Sequence, residues 1–568
     1  MCKGAFVFRE FIPKSYLYLR SGYTARIFRK DLIAGLTVGI IALPLAMAFA
    51  IASGVPPERG LFTAIIAGFL ISALGGSRIQ IGGPTGAFVV IIYDIIQRSG
   101  YDGLAVSTLL AAVFLILFGL FRLGSWIKYV PYPLVTGFTT AIAVIIFSTQ
   151  IKDFFGLSMG VPPANFIDKW VVYASVFSTI HFPTFFLGAG TFAVILLVRR
   201  FIPKLPWAIA AIVFGTLLAY LLNLPVETIQ TKFGQIPNEL PVPLFPSFDL
   251  PDVKLSMLFM DAMTIAFLAS IESLLSAVVG DGMMGGRHKA DCELVGLGIA
   301  NCASILFGGI PATGAIARTA TNVKTGAQTP MAGMIHALTL FLIMLFFAPL
   351  VSQIPLTCLA AILIMVSWNM SEAGHFISLF KTSVGDIAIL LTAFLLTIFV
   401  DIAVAVTLGM ILASFSFMKR MSLLSKTVRL NTVFRDSQEE FPERTDPDAI
   451  SNKTVPLGVE VYEIEGPFFF GAADMLKDIL NNLERPPKVY ILRMRYVPFI
   501  DASGMHALNE FYLNCAKGNT TLILSGIQGQ TKKDLDRYGM SELVGKSYIF
   551  AHIDDALAKA KELVSVDV

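Results

Sequence analysis

The chain has 568 residues, of which 55% are hydrophobic and 15% charged, with a net charge of +3 and a mean hydropathy of +0.72. Soluble domains carry about 25% charged residues, so this composition belongs to an integral membrane protein with room for one further domain. The small net charge, with no basic stripe interleaved with aromatics, excludes nucleic acid as a partner. The five cysteines form no CxxC pair and the six histidines no pair at metal-ligand spacing, which leaves neither a disulfide framework nor a metal site to expect. No nucleophile, phosphate-loop or cofactor signature marks an enzyme.

Residues 1–30 form a basic arm carrying Lys14, Arg20, Arg26, Arg29 and Lys30. It lacks the apolar core and cleavage site of a signal peptide, and the positive-inside rule places it in the cytoplasm. Residues 31–418 alternate apolar runs with Gly/Pro breaks and read as about fourteen membrane segments, several of them short. These begin near Leu32, Gly60, Thr85, Leu104, Leu134, Thr184, Pro206, Ala262, Glu293, Gly314, Met334, Leu356, Ile387 and Ile402. An even number of spans returns the carboxy-terminal region to the cytoplasm, where Lys419, Arg420, Lys426 and Arg429 follow. Residues 419–454 read as a polar linker with Pro442 and Pro447, and 455–568 as a small α/β domain. Its expected strands are 458–464, 488–494 and 520–524, alternating with helices 472–483, 505–513 and 531–538.

An internal repeat joins two of the short segments. Residues 83–88 and 311–316 share Thr-Gly-Ala at an offset of 228 residues, and the same offset sets Pro44 in the first span against Glu272 in the eighth. An odd number of spans per half makes the halves inverted. Short, Gly/Pro-interrupted segments at matching places in inverted halves point to half-helices whose amino termini meet at mid-membrane. Each such terminus carries about half a positive charge and unpaired N–H donors, so two of them make an anion site. Arg318, one turn into the second half-helix, adds a full charge. Thr85 and Thr313 are placed to cap these helices or to offer hydroxyls to a ligand.

Glu272 stands alone in the uncharged stretch 262–280, with the nearest flanking charges at Asp261 and Asp281. An ionisable group at mid-depth costs at least ~2.5 kcal/mol, which marks a transport pathway rather than a lipid-facing position. An anion entering beside an ionised Glu272 meets like-charge repulsion, so protonation of the carboxylate favours anion binding, and by linkage a proton gradient drives uptake. Asp94, near Tyr93 and Arg98, reads as an intramembrane structural partner. Pro44 bends or breaks the first span.

Several stretches carry a family resemblance: residues 31–39, Leu43-Pro44, Gly54-Val55-Pro56-Pro57 with Gly60-Leu61-Phe62, Ile271-Glu272-Ser273-Leu274, and 288–296. In these the chain resembles the SulP anion transporters over nearly its whole length. Residues 311–324 are most similar to the enterobacterial C4-dicarboxylate transporter of that family. The resemblance implies an all-α polytopic domain of about fourteen transmembrane segments in two inverted repeats, divided into core and gate, plus a cytoplasmic STAS domain. It implies a homodimer and a substrate site involving Phe49, Phe88, Glu272, Ser276, Ala317 and Arg318; the half-helix starts add Thr85, Gly86, Ala87, Thr313, Gly314, Ala315 and Ile316, and a bacterial inner-membrane location is expected. Two departures stand out. Leu45 occupies the place of a frequent glutamine, and Asp291 and Leu297 replace the family's Asn and Gln.

The expected function is secondary transport of a small anion, with proton symport of a dicarboxylate such as succinate or fumarate first, and sulfate or bicarbonate symport or exchange as the alternative. A related sodium-bicarbonate site in the family has aspartate where Glu272 stands, and that difference together with Arg318 weighs against sodium coupling. An anion channel and a nucleobase permease are the rival classes; Arg318 and the soluble tail argue against the permease. In the tail, residues 498–504 resemble the STAS loop of anti-sigma-factor antagonists, whose phosphorylated serine falls on Ala502. Asp501 and Ser503 are the remaining regulatory candidates, for a phosphate, a nucleotide or a cytoplasmic partner at a helix start, with plain helix capping as the competing reading.

Overall fold

The structure is a computed structural model. It describes residues 10–160, 162–163, 165–202, 205–239, 242–243, 245, 254–424, 426–429, 450, 453–469, 476, 487–527 and 529–565. Two compact units emerge, Met1–Ala413 and Ser414–Val568.

The first unit is helical. Its helices are α1 (Lys14–Arg20), α2 (Ala25–Ala52), α3 (Pro57–Leu74), α4 (Gly86–Leu120), α5 (Tyr132–Phe155), α6 (Phe166–Val176), α7 (Phe182–Phe201), α8 (Trp207–Leu221), α9 (Ile229–Phe233), α10 (Leu255–Met284), α11 (Ala290–Leu306), α12 (Ile316–Lys324), α13 (Met331–Ser352), α14 (Leu356–Met370), α15 (Ala373–Leu379), α16 (Val384–Phe399) and α17 (Ile402–Leu424), the last of which crosses the boundary between the units. Two short strands, β1 (Gly82–Gly83) and β2 (Thr313–Gly314), precede α4 and α12. Each expected segment start falls in or beside one of these helices. Among the described residues, nine helices are long and apolar enough to cross a bilayer. The protein is a multi-pass membrane protein.

Helix boundaries follow local chemistry. Thr24 caps α2 by accepting the N–H of Ile27, and Gly156 ends α5 in the left-handed conformation that glycine adopts without strain. At Gly100 the backbone turns to φ 64°, ψ −170°, dividing α4 into a half-helix up to that point and a full segment beyond. Helix α2 runs through Pro44 without a break, which leaves a bend as the remaining part of the expectation. Only the bond that the Pro44 nitrogen would have donated to the preceding turn is lost.

The packing pairs show the repeat directly. Helix α2 packs on α13 as α10 packs on α4, α3 on α13 as α11 on α4, and α5 on α16 as α14 on α7. Exchanging the two halves of the chain turns each pair into its counterpart. One group therefore holds α2–α4 and α10–α13, and a second holds α5, α7, α8, α14 and α16. Small residues allow the close crossings. A Cβ on Gly35 would lie 2.6 Å from the Ala332 carbonyl oxygen, and one on Gly39 would lie 2.8 Å from the Thr339 side chain.

The second unit is a five-stranded sheet in the order β3 (Lys426–Arg429), β4 (Val459–Glu465), β5 (Val489–Tyr496), β6 (Thr521–Ser525), β7 (Ile549–Phe550). β3 runs antiparallel to β4 and the rest are parallel. Helices α18 (Ala502–Lys517), α19 (Gly529–Arg537), α20 (Met540–Val544) and α21 (Ile553–Ser565) complete it. The linker reading of 419–454 is corrected at its start: α17 extends to Leu424, and β3 pairs residue by residue with β4, satisfying backbone groups that a linker would leave to water. The expected helix 472–483 lies outside the described residues, apart from the buried Leu476.

Candidate anion site at two facing half-helices

The two Gly-rich segments meet. β1 and β2 pair antiparallel, Gly82 opposite Gly314 and Gly83 opposite Thr313, and the Ala315 N–H donates to the Ile81 carbonyl at 2.8 Å. Helices α4 and α12 begin just beyond, at Gly86 and Ile316, so their amino termini flank one point. Glycine is required here: Gly83 has φ +146°, and a Cβ on it would sit 2.8 Å from Arg318 Nη1. The first-turn N–H groups of Gly86, Ala87, Ile316 and Ala317 bond to nothing among the described residues. Residues Ile316 and Ala317 are exposed between buried Ala315 and Arg318, so this turn opens onto accessible space.

The structural repeat is offset by two residues from the Thr-Gly-Ala match. Thr85 is the residue before α4, whereas Ala315, not Thr313, occupies that place before α12. The capping expectation fails for both threonines. Thr85 makes no capping bond and its hydroxyl is buried without a partner, while Thr313 lies in β2 and donates to the Ala269 carbonyl at 2.9 Å. Gly314 is held tight, since a Cβ there would collide with the Gln80 amide.

Helix α10 brings Glu272 to this region. The residue is 7% exposed, and its carboxylate makes neither a hydrogen bond nor an ion pair among the described residues. Arg318 is buried, donates through Nη2 to the Pro84 carbonyl, and leaves Nη1 without a partner. The two opposite charges are not paired with each other. Ser276 is taken up by Thr319, hydroxyl to hydroxyl at 2.9 Å, so its oxygen serves the α10–α12 contact. Phe49 and Phe88 both belong to the main apolar cluster, Phe88 with no exposed surface. A Cβ on Gly86 would press on Met370 and Ile146, which brings α14 and α5 of the second helix group against this half-helix. Asp94 is structural as expected: Arg98 bridges Asp94 and Asp261 at 2.7 and 3.0 Å.

Several supporting residues escaped the sequence reading. Asn301 on α11 holds Ala312 by both backbone groups, accepting its N–H at 2.8 Å and donating to its carbonyl at 2.9 Å. Thr63 on α3 accepts the Ile310 N–H at 2.7 Å. Buried Glu293 accepts the Ser77 N–H at 2.8 Å and the Ser273 hydroxyl at 3.4 Å, and Ser273 in turn accepts from Gln80 at 2.6 Å. Asp31 accepts the N–H groups of Gln328 and Thr329 and the Thr329 hydroxyl, fixing the turn after α12. His336 on α13 is fully buried with neither ring nitrogen bonded. Replacing Asn301 with leucine strands the Ala312 donor and acceptor, each costing about 1–3 kcal/mol. The expected result is a lower melting temperature of the detergent-solubilised protein; an unchanged one would show that Asn301 does not hold β2.

In the second unit, Asp501 caps α18 by accepting the Gly504 N–H at 2.8 Å, while Ala502 and Ser503 are exposed. The capping reading of Asp501 is therefore occupied in fact.

Residues 28–393 match the sulfate permease family and residues 451–556 match the STAS domain. The chain belongs to the sulfate permease family. It is 41% identical to the proposed sulfate transporter YvdB of Bacillus subtilis, over 94% of this chain and 98% of that protein. It is 28% identical to the bicarbonate transporter BicA of Picosynechococcus, over 94% of this chain and 95% of BicA. The solved transmembrane domain of a cyanobacterial BicA superposes with a TM-score of 0.61 at 31% identity, over 67% of this chain and 98% of that one. Murine Slc26a9, solved in its inward-facing state, shares the fold with a TM-score of 0.85 at 18% identity, over 98% and 95% of the two chains. As a member of the sulfate permease family the protein is an anion transporter and not an enzyme.

Proposed function

We propose that this sulfate permease family member is a proton-coupled symporter of a small oxyanion, with sulfate as the first substrate, bicarbonate second and a C4-dicarboxylate third. The observation that carries the reading is the pair of helix termini with unbonded first-turn N–H groups, one of them exposed, beside the unpaired cation Arg318 and the unpaired acid Glu272. Four first-turn N–H groups and a guanidinium suit the several acceptor oxygens of a compact oxyanion. The dicarboxylate expectation rests on one local stretch, residues 311–324, whereas the relatives similar over the whole length carry sulfate and bicarbonate in their names. In this reading Glu272 carries the coupling proton, and Phe49, Gly86, Ala87, Phe88, Gly314, Ala315, Ile316, Ala317 and Arg318 surround the anion.

The protein then works as a homodimer in a bacterial inner membrane, with both termini and the STAS domain in the cytoplasm, where exposed Ser503 is open to a partner. The test is uptake into proteoliposomes of radiolabelled sulfate, bicarbonate and succinate under an inward proton gradient or an inward sodium gradient. Sulfate should accumulate with the proton gradient alone. Accumulation driven only by sodium, or movement of none of the three anions, would contradict the proposal.

A further inference from the structure

Helix α6, outside the spans, carries two buried polar side chains with nothing to bond. Lys169 is 2% exposed, and its ammonium has no hydrogen-bond or ion-pair partner among the described residues. Tyr173, one turn further on the same face and also 2% exposed, has a buried hydroxyl without a partner. The other described contact of Lys169 is the ring of Tyr93, whose centroid lies 5.7 Å from Nζ. The Tyr93 hydroxyl is itself committed to the Pro162 carbonyl at 2.7 Å.

The position of this cluster matters as much as its chemistry. Tyr93 is seven residues beyond Gly86 on the half-helix of α4, roughly 10 Å along the axis from the open terminus at 1.5 Å per residue. Helix α6 packs on α5 and α16, with Phe166 edge-on to Phe399. Lys169 therefore bridges the seam between the two helix groups, on the side of the site where α2 ends, since Gly54 lies against the Tyr93 ring. A buried ammonium without a counter-charge is a costly arrangement that one cation–π contact of about 0.5–2 kcal/mol does not offset. A second orphaned donor one turn away on the same helix face is what an anion-accepting pocket requires and what a merely packed lysine does not.

We propose that Lys169 and Tyr173, against Tyr93, form an outer anion station that holds an incoming oxyanion before it reaches the half-helix termini. The inference rests on the transport reading above for its direction, and the side involved is the non-cytoplasmic one. Neighbouring charges are already engaged and do not compete for the ammonium. Asp153 at the end of α5 pairs with Lys232 at 3.3 Å, Arg98 binds Asp94 and Asp261 with Asp401 beside them, and Asp168 points to solvent. Burial lowers the Lys169 ammonium to about 8 and raises the Tyr173 phenol. The station is thus charged at neutral pH and empties of charge as the outside pH rises through about 8.

The test uses the full-length protein in right-side-out vesicles, with radiolabelled sulfate as probe and the outside pH varied from about 6.5 to 9.5, a range that brackets the Lys169 titration. In the wild type, the outside KM should rise several-fold as the pH passes about 8. Lys169→Met should start at that high KM and lose the rise centred at about 8, with maximal velocity unchanged. Lys169→Arg should keep the low KM through the alkaline range, because guanidinium stays charged, and Tyr173→Phe should give a smaller rise in KM. Wild-type KM and pH profile in Lys169→Met, with Tyr173→Phe also silent, would overturn the station. Failure of the central site would show separately, as unaltered proton-driven accumulation in Glu272→Gln.

Discussion

Glu272→Gln should bind the anion and exchange it across the membrane, yet lose all proton-driven accumulation. In the proposed mechanism the buried, unpaired Glu272 carboxylate is the acid whose charge changes what the site holds. Glutamine resembles the protonated form in shape and charge, so the variant rests permanently in the state that accepts an anion. With one proton moved per anion and the membrane potential clamped at zero, a gradient of one pH unit is worth about 1.4 kcal/mol, an accumulation of about tenfold. Wild type should approach that ratio and the variant should stop at equilibration. The variant's KM should also lose the part of its pH dependence that belongs to Glu272, because linkage requires a group that titrates differently with and without substrate. Accumulation at the wild-type ratio in Glu272→Gln would remove Glu272 from the coupling role.

Arg318→Ala should weaken substrate affinity the most of any single change. The guanidinium is buried, holds the Pro84 carbonyl with one nitrogen, and keeps Nη1 free near the β1 backbone. Truncating one partner of a buried, hydrogen-bonded charge pair costs about 2–5 kcal/mol, which is roughly 30-fold or more in KM. Arg318→Lys should recover part of this, since the charge returns but the fork that spans backbone and ligand does not. Equal KM values for the wild type and Arg318→Ala would show that the cation serves packing alone.

What could be read from the chain and what could not divides by sequence distance. Glu272 was visible because a single acid in an apolar run stands out against a large burial cost. The half-helices were visible because Thr-Gly-Ala recurs before two short apolar segments, and β1 does pair with β2. The register of that repeat was not. Side chains alone set Thr85 against Thr313, but the backbone places Gly83 there, and a two-residue slip leaves the local composition unchanged. The scaffold of the site was also hidden. Asn301 to Ala312, Thr63 to Ile310, and Asp31 to Thr329 are polar contacts whose partners are known only once the helices are packed. Of the bend or break that Pro44 suggests, the helix does not make the break, because a membrane helix tolerates one missing bond when its neighbours hold it. Strand β3 was hidden in a polar stretch, where four residues carry too little apolar pattern to declare a strand.

The central claim is that the two half-helix termini and Arg318 together hold the anion. Selenate has the shape and charge of sulfate and scatters anomalously, so crystals of the full-length protein grown with selenate locate the anion directly. The account predicts an anomalous peak within hydrogen-bonding distance of the first-turn N–H groups of Gly86 and Ala87 on one side and Ile316 and Ala317 on the other, lost in Arg318→Ala. A peak lying elsewhere in the membrane unit, with the space between those termini empty, would contradict it.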